Sequence, residues 1–88
     1  MKKITLENGL TLDIDEEALN DMELLDDLAD LDTGNGYAIP RVVTRLLGKE
    51  QKKALYDSVR VNGCAPVTAV VAATKEILDK LGEQGKNS

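Results

Sequence analysis

The first fourteen residues alternate between apolar and polar side chains on both sides of an Asn8-Gly9 pair. A period of two is typical of a strand with one buried face, and Asn-Gly between two such runs favours a tight hairpin turn. The pattern therefore predicts a β-hairpin over residues 2–14. An isolated hairpin is not stable in water, so its apolar face must pack on other elements. That face consists of Ile4, Leu6, Leu10, Leu12 and Ile14.

From Asp15 onward the apolar residues recur with the period of a helix. Asp15 is a suitable N-cap, and the helix should end near Asp32, before the Gly-Asn-Gly turn at residues 34–36. The pattern thus predicts a first helix over about residues 15–32. Its buried stripe is predicted to comprise Ala18, Met22, Leu25 and Ala29, widened by Leu24, Leu28 and Leu31.

Three more helices are predicted in the rest of the chain. Pro40 suits the first turn of the second helix, and Gly48 should end it. Asn62-Gly63 ends the third helix, and Pro66 opens the fourth. The three helices cover residues 39–47, 49–61 and 66–81.

These elements place the chain in the mainly α class, as a four-helix small domain preceded by an N-terminal β-hairpin. With 88 residues, the chain has the length of one domain, which we assign to residues 1–82. The polar tail over residues 83–88 is predicted to be disordered.

The composition argues against an enzyme. The chain has no histidine and one cysteine, Cys64. A single thiol forms no internal disulfide, which indicates a reducing compartment, and without histidine it makes neither a zinc site nor a Cys/His nucleophile. No glycine-rich phosphate loop is present in the sequence. No catalytic residue, cofactor or metal is therefore predicted.

No membrane segment is predicted either. The longest run of small and apolar residues, CAPVTAVVAAT from Cys64, is too short to span a bilayer. The N-terminal residues also lack the continuous apolar segment of a signal peptide.

Acidic and basic residues are segregated along the chain. Residues 1–36 hold eleven carboxylates and two lysines, a charge of −9, and residues 37–88 hold nine basic and five acidic residues, a charge of +4. The carboxylates between Asp15 and Asp32 are interpreted as a solvated helix face, with an acidic docking surface as the alternative.

The basic residues of the second and third predicted helices follow one another at steps of three or four. We define this basic stripe as Arg41, Arg45, Lys49 and Lys52. Three interpretations are open: nucleic-acid binding, charge steering of a protein partner, and neutralisation of the acidic first helix. The low pI of 4.6 and the scarcity of aromatic residues argue against nucleic acid.

The segment DLDTGNGYAIPR, residues 30–41, has the alternating aspartates and the glycine of a calcium loop. An EF-hand requires a bidentate glutamate at its last ligand position. Neither register fits the template. With Gly36 as the turn glycine, the first ligand position falls on Leu31 and the last on Val42. With Asp30 and Asp32 as ligands, the glycine position falls on Asn35 and the last ligand position on Arg41. A helix end followed by a turn is therefore predicted instead of a calcium site.

The order of the elements resembles a known family. After the hairpin come ELLDDLADLD (residues 23–32), LLGKEQKKALY (residues 46–56) and a last helix with VTAVVAATKEIL. Over about residues 2–81 this order resembles the small tail assembly chaperones of long-tailed, siphovirus-type phages and prophages of Gram-positive bacteria. The chain departs from the family at VNGCAPV, where relatives have an acidic turn with Gly-Arg-Val.

The resemblance implies a non-enzymatic role. Such chaperones bind the long helical tape measure protein in the cytoplasm of the bacterial host, keep it soluble while the tail tube assembles, and are absent from the mature virion. It also implies the tail tube protein and a frameshifted longer form of the chain as partners, and a homo-oligomer is compatible with it. Two alternatives stay open: a small prophage DNA-binding regulator, and an acidic helical protein-binding module of unknown partner.

A chaperone for an apolar helical client needs exposed aliphatic surface, and grooves between amphipathic helices supply it. We expect the helices over residues 39–47 and 66–81 to contact the client, with the basic stripe steering it by charge. The predicted partner-binding residues are Arg41, Arg45, Lys49, Lys52, Val67, Val70 and Val71.

Overall fold

The computed structural model describes the backbone of residues 1–86 and the side chains of residues 1–82. The mainly α character and the N-terminal hairpin are confirmed. The prediction of four helices is wrong, because the described chain contains three. The α-helices are α1 (Met22–Asp32), α2 (Ile39–Ser58) and α3 (Val67–Lys86), with 3₁₀ turns at Glu16–Leu19 and Gly36–Ala38.

The hairpin consists of two antiparallel strands, β1 (Lys2–Thr5) and β2 (Thr11–Ile14). Ile4 lies opposite Leu12 across the pair. Gly9 adopts a φ of 93° in the turn, a value that glycine reaches without strain. The inward face is buried against the helices, as predicted, through Ile4, Leu6, Leu12 and Ile14.

The first predicted helix, over residues 15–32, is divided into two elements. Asp15 caps the 3₁₀ turn through a 3.0 Å bond from the Glu17 N–H, and Asp21 caps α1 through a 2.9 Å bond from the Glu23 N–H. Asp21 has an extended backbone, with φ −135° and ψ 116°. A second N-cap therefore begins a new helix where the sequence predicted an uninterrupted one.

The predicted buried stripe of this helix is also wrong. Met22 and Leu25 are 70% and 52% exposed, whereas Leu24 is buried, and Leu28 and Leu31 are partly buried against the core. Ala29 is exposed as well. The residues expected to widen the stripe are thus the ones that face the core.

The predicted second and third helices form one element, α2, which bends at Gly48. The backbone of Gly48 has φ 78° and ψ 169°, a region that essentially only glycine occupies. Gly48 interrupts the helix as predicted, but the chain resumes its helical path at once, without a connecting loop. The two predicted helices are therefore the two arms of α2, over residues 39–47 and 49–58.

The side chain of Gln51 joins the arms of α2 and fastens the hairpin to them. Its Nε2 donates to the carbonyl oxygens of Leu47 (3.0 Å) and Asp13 (2.7 Å), and its Oε1 accepts the Asp13 N–H at 2.7 Å. The outer edge of β2 would otherwise expose these backbone groups of Asp13. The Gln51 side chain thus satisfies the backbone groups of Asp13 at the strand edge and also bonds the Leu47 carbonyl, just before the bend.

The last predicted helix, over residues 66–81, corresponds to α3. The Thr74 hydroxyl is fully buried and donates to the Val70 carbonyl at 2.8 Å, so its polar atom is satisfied. The backbone remains helical through Lys86, within the predicted tail, and residues 87 and 88 lie outside the described residues. The helix buries Val70, Ala73, Thr74, Ile77 and Leu81.

Nowhere in residues 1–86 does a helix combine the length and the apolar composition that crossing a bilayer requires.

Substitution of Gly48 tests whether the bend depends on glycine. We expect Gly48→Ala to lower the free energy of unfolding by about 1–3 kcal/mol, because alanine is strained at this φ and ψ. The space for a Cβ is open, so the cost arises from the backbone and not from a clash. The measurement is urea unfolding followed by circular dichroism.

Gly82→Ala is the matched control. Gly82 lies within α3, is not among the glycines with positive φ and has the same open space for a Cβ. Alanine there should raise the free energy of unfolding by about 0.5–1 kcal/mol. Equal stability of Gly48→Ala and the original protein would show that the bend does not require glycine.

Candidate functional site

An open apolar groove lies between the start of α2 and the start of α3. Its volume is about 440 Å³. At its rim, the side chains of Tyr37 and Val67 are 86% and 75% exposed, whereas Ile39 and Val70 are buried. We define the apolar groove by its lining residues, which are Gly36, Tyr37, Ile39, Pro40, Tyr56, Ala65, Val67 and Val70.

The bend in α2 makes this groove. Pro40 and Tyr56 line it together although they lie on different arms of α2. A continuous helix would separate them by about 24 Å, too far to border one small groove. The reversal at Gly48 brings the two arms side by side, so that the far end of α2 returns to its beginning.

The short 3₁₀ turn Gly36–Ala38 positions Tyr37 at the rim of the apolar groove. The side chain of Asn35 accepts the Tyr37 N–H at 3.2 Å and so caps this turn. Ala38 at its end is fully buried, which fixes the turn against the core. Tyr37 is therefore held at the groove by a local cap while its ring stays in solvent.

A second depression, of about 420 Å³, adjoins the apolar groove and shares Pro40 with it. We define this basic recess by its lining residues, which are Pro40, Arg41, Thr44, Arg45 and Lys52. The Lys52 ammonium lies 3.1 Å from the Thr44 hydroxyl and 5.8 Å from the centre of the Tyr56 ring. Lys52 consequently borders the recess beside a residue of the groove.

The two arginines of the recess hold α1 against α2 through one aspartate. The side chain of Asp27 is only 10% exposed, and its two oxygens each accept a 2.9 Å bond, one from Arg41 Nε and one from Arg45 Nε. The hydrogen bond from Arg41, followed by that from Arg45, keeps the pKa of Asp27 below its ordinary value. The hydrogen bond to Asp27 also raises the pKa of Arg45.

Carboxylates at the ends of α1 extend this cluster. Arg41 Nη2 lies 3.6 Å from Asp30, and Arg45 Nη1 and Nη2 lie 3.6 Å from Asp21 and 3.5 Å from Glu23. Asp30 of the apparent calcium loop therefore faces an arginine. Half of the basic stripe is paired with the acidic first helix, which is one of the interpretations left open by the sequence.

The seven predicted partner-binding residues do not form a single surface. Val67 and Val70 line the apolar groove, whereas Val71 is half-buried and packs on the core. Lys49 is exposed just after the bend and lines neither depression. The basic recess is lined by the remaining three, Arg41, Arg45 and Lys52.

The two aromatic side chains of the groove, Tyr37 and Tyr56, were not predicted from the sequence. They are the only aromatic residues of the chain, and both line the same groove. That scarcity was the available signal, because aromatic residues are enriched where proteins bind one another. Their separation along the chain hid the fact that they meet.

A larger depression, of about 690 Å³, lies between the hairpin turn and α3. Within it, Lys80 Nζ lies 2.9 Å from a Glu76 oxygen, and the same oxygen accepts the Glu7 N–H at 2.9 Å. These polar groups already have partners within the fold. The apolar groove is therefore the stronger candidate.

The apolar groove offers a ligand hydrophobic contact and two tyrosine side chains. Burial raises the pKa of the Tyr56 phenol above its ordinary value. Among the side chains that the structure describes, no group of three or more His, Cys, Asp or Glu residues could hold a metal ion. The geometry thus suits the binding of an apolar surface.

No protein family model, no curated protein and no solved structure matches the chain.

Substitution of Asp27 tests the cluster between α1 and α2. We expect Asp27→Asn to lower the midpoint of thermal unfolding at pH 7, because both arginines lose their shared charged partner. The native pKa of Asp27 lies below its value in the unfolded chain, so its stabilisation is complete above the ordinary value of 3.8. It declines as the pH falls through the lowered native pKa, and the two proteins should then converge.

The measurement is calorimetry between about pH 2 and pH 7, which spans the titration of carboxylates. Asp26→Asn is the control, since Asp26 is exposed on the same helix and the substitution removes the same charge. It should change the midpoint much less than Asp27→Asn does. A constant difference between Asp27→Asn and the original protein at all pH values would refute the linkage.

Proposed function

We propose that the protein is a non-enzymatic binding protein that holds an apolar helical segment of a client in its apolar groove. The observation that carries this proposal is an open groove lined almost wholly by apolar and aromatic side chains, with Tyr37 and Val67 exposed at its rim. Covering such side chains with another apolar surface is favourable, at about 25 cal/mol per Å². Grooves between helices commonly receive an amphipathic helix in this way.

The apolar lining of the groove favours a client side chain over a small molecule that binds through hydrogen bonds. Apart from the two phenols, its lining has no polar side chain. Specific small-molecule sites generally include several convergent polar groups that set the orientation of the ligand. An aliphatic stripe on a helix makes no such demand, because shape and burial supply most of the affinity.

The particular proposal is that of a phage tail assembly chaperone, with the tape measure protein as its client. It is supported by the resemblance of the element order and by a groove of the kind that a helical client requires. Under this proposal the protein acts in the cytoplasm of the bacterial host and leaves before the virion is complete. The tail tube protein and a frameshifted longer form of the chain are its further proposed partners.

DNA binding receives less support from the geometry. The Nε atoms of Arg41 and Arg45 are both bonded to Asp27, and further carboxylates surround their guanidinium groups. Contacts to phosphate would have to compete with these partners. A protein partner that uses the groove requires no such exchange.

The proposal is tested by co-expression of the protein with the tape measure protein of the same phage or prophage. We expect the client to be soluble and to co-purify. Val67→Asp should reduce the retained client about tenfold or more, because loss of a buried valine contact costs at least 1.4 kcal/mol. Val67 is the first residue of α3 and is mostly exposed, so an aspartate there is compatible with folding.

Val61→Asp is the matched control. Val61 is 58% exposed, as large as Val67, and does not line the groove. This variant should retain the client at the original level. A client that is equally soluble without the protein, or that Val67→Asp retains undiminished, would refute the proposed function.

A further inference from the structure

Lys52 differs from the arginines beside it in having no acidic partner among the side chains of residues 1–82. Among the described side chains, no carboxylate lies within salt-bridge distance of Lys52, whereas Arg41 and Arg45 share Asp27. Instead the Lys52 ammonium bonds the Thr44 hydroxyl at 3.1 Å and lies over the Tyr56 ring. Two of its three donor positions therefore remain for an external acceptor.

Within the basic recess, Lys52 is the cation available to an anion, because Arg41 and Arg45 are already paired with carboxylates. The basic recess is lined by three cationic side chains and by no carboxylate. The acidic groups that pair with the arginines belong to α1 or are its N-cap, Asp21, and none of them lines the recess. A negatively charged group that enters the recess thus meets the ammonium of Lys52 directly.

Lys52 is also held in position before any ligand arrives. Its contacts with Thr44 and with the Tyr56 ring limit the side-chain freedom that an ion pair must otherwise remove. Lys52 is half-buried, so salt screens its charge less than that of a fully exposed lysine. An ion pair at Lys52 should therefore contribute more than a typical surface pair.

The recess and the apolar groove are parts of one continuous surface, because they share Pro40 and because Tyr56 of the groove lies beside Lys52. A ligand seated on this surface contacts aliphatic side chains on one side and a cation on the other. On a helix, residues three or four positions apart lie on the same face, about 5–6 Å from each other. An aliphatic anchor and an acidic residue at that spacing match the arrangement.

We propose that the occupant of the apolar groove is an amphipathic helix that carries an aspartate or glutamate one turn from its aliphatic anchor, and that Lys52 pairs with this carboxylate. This inference rests on the proposed function and adds the chemistry of the client segment. The groove supplies the affinity, and Lys52 sets the register and direction of the bound helix.

The test uses two synthetic peptides of about 18 residues, long enough to form a helix on binding. Both carry the same leucine stripe, and they differ in having Glu or Gln one turn from the central leucine. Binding is measured by fluorescence anisotropy at low and at high salt. The original protein should bind the Glu peptide about fivefold more tightly at low salt, and the preference should shrink at high salt.

Lys52→Gln should bind both peptides equally, and Lys52→Arg should retain the preference because it keeps the charge. Lys49→Gln is the matched control, since Lys49 also lacks a carboxylate partner among the described side chains but lies outside the recess. It should keep the preference. Loss of the preference in Lys49→Gln to the same degree as in Lys52→Gln would point to net charge and would overturn the inference.

Two further outcomes separate this inference from the proposed function. If Val67→Asp abolishes peptide binding while Lys52→Gln keeps the preference for Glu, the carboxylate assignment fails and the groove stands. If Val67→Asp binds both peptides as the original protein does, the groove itself is not the binding site, and both proposals fail. Failure of the original protein to bind either peptide overturns the inference. The proposed function is then tested only by the co-purification of the client.

Sedimentation velocity of the protein without peptide tests whether a second copy of the chain occupies the apolar groove. We expect Val67→Asp and the original protein to sediment alike. Self-association that Val67→Asp abolishes would show the groove filled by another copy of the chain and would overturn the inference.

Discussion

The reversal of α2 at Gly48 is the constraint on which the rest of the structure depends. At φ 78° and ψ 169° the chain turns between two helical arms without using a loop, which a residue with a Cβ could not do without strain. The reversal places Tyr56 near Pro40, so that both side chains line the apolar groove. It also sets the Gln51 side chain between the Leu47 carbonyl and the edge of β2. Hairpin, groove and helix arms are therefore linked through one backbone conformation.

Electrostatics holds the acidic first helix in place and determines which charges stay free. Two arginines of α2 converge on the buried carboxylate of Asp27 in α1, which ties the position of α1 to that of α2. Their pairing places two of the nine basic residues of residues 37–88 against the acidic first helix. Lys52 lies next to these arginines and has no such partner among the described side chains. It is therefore the cation of the recess best placed to meet a ligand.

An apolar groove beside a fixed cation combines two kinds of interaction, apolar burial and a charged contact. Burial of aliphatic surface is non-directional and supplies affinity for many sequences. A single charged contact adds direction and discriminates between otherwise similar helices. Under the proposed function, this combination suits a client that presents similar helical segments. The modest core of leucine, valine and isoleucine is compatible with such a role, since a bound client adds apolar surface that the domain itself lacks.

The sequence alone determined the hairpin and the mainly helical character of the chain, because these depend on neighbouring residues. The Asn8-Gly9 turn and the alternation around it act over a few positions, and the apolar residues of the helices follow the helical period. Tertiary structure decided the orientation of α1: the period of its apolar residues allowed two faces, and the face with Leu24 packs on the core while Asp27 meets Arg41 and Arg45 of α2. It also decided the site, since only the reversal at Gly48 unites Tyr37, Tyr56 and Val67. Local patterns report the propensities of a segment, whereas the pairing of distant side chains depends on the path of the whole chain.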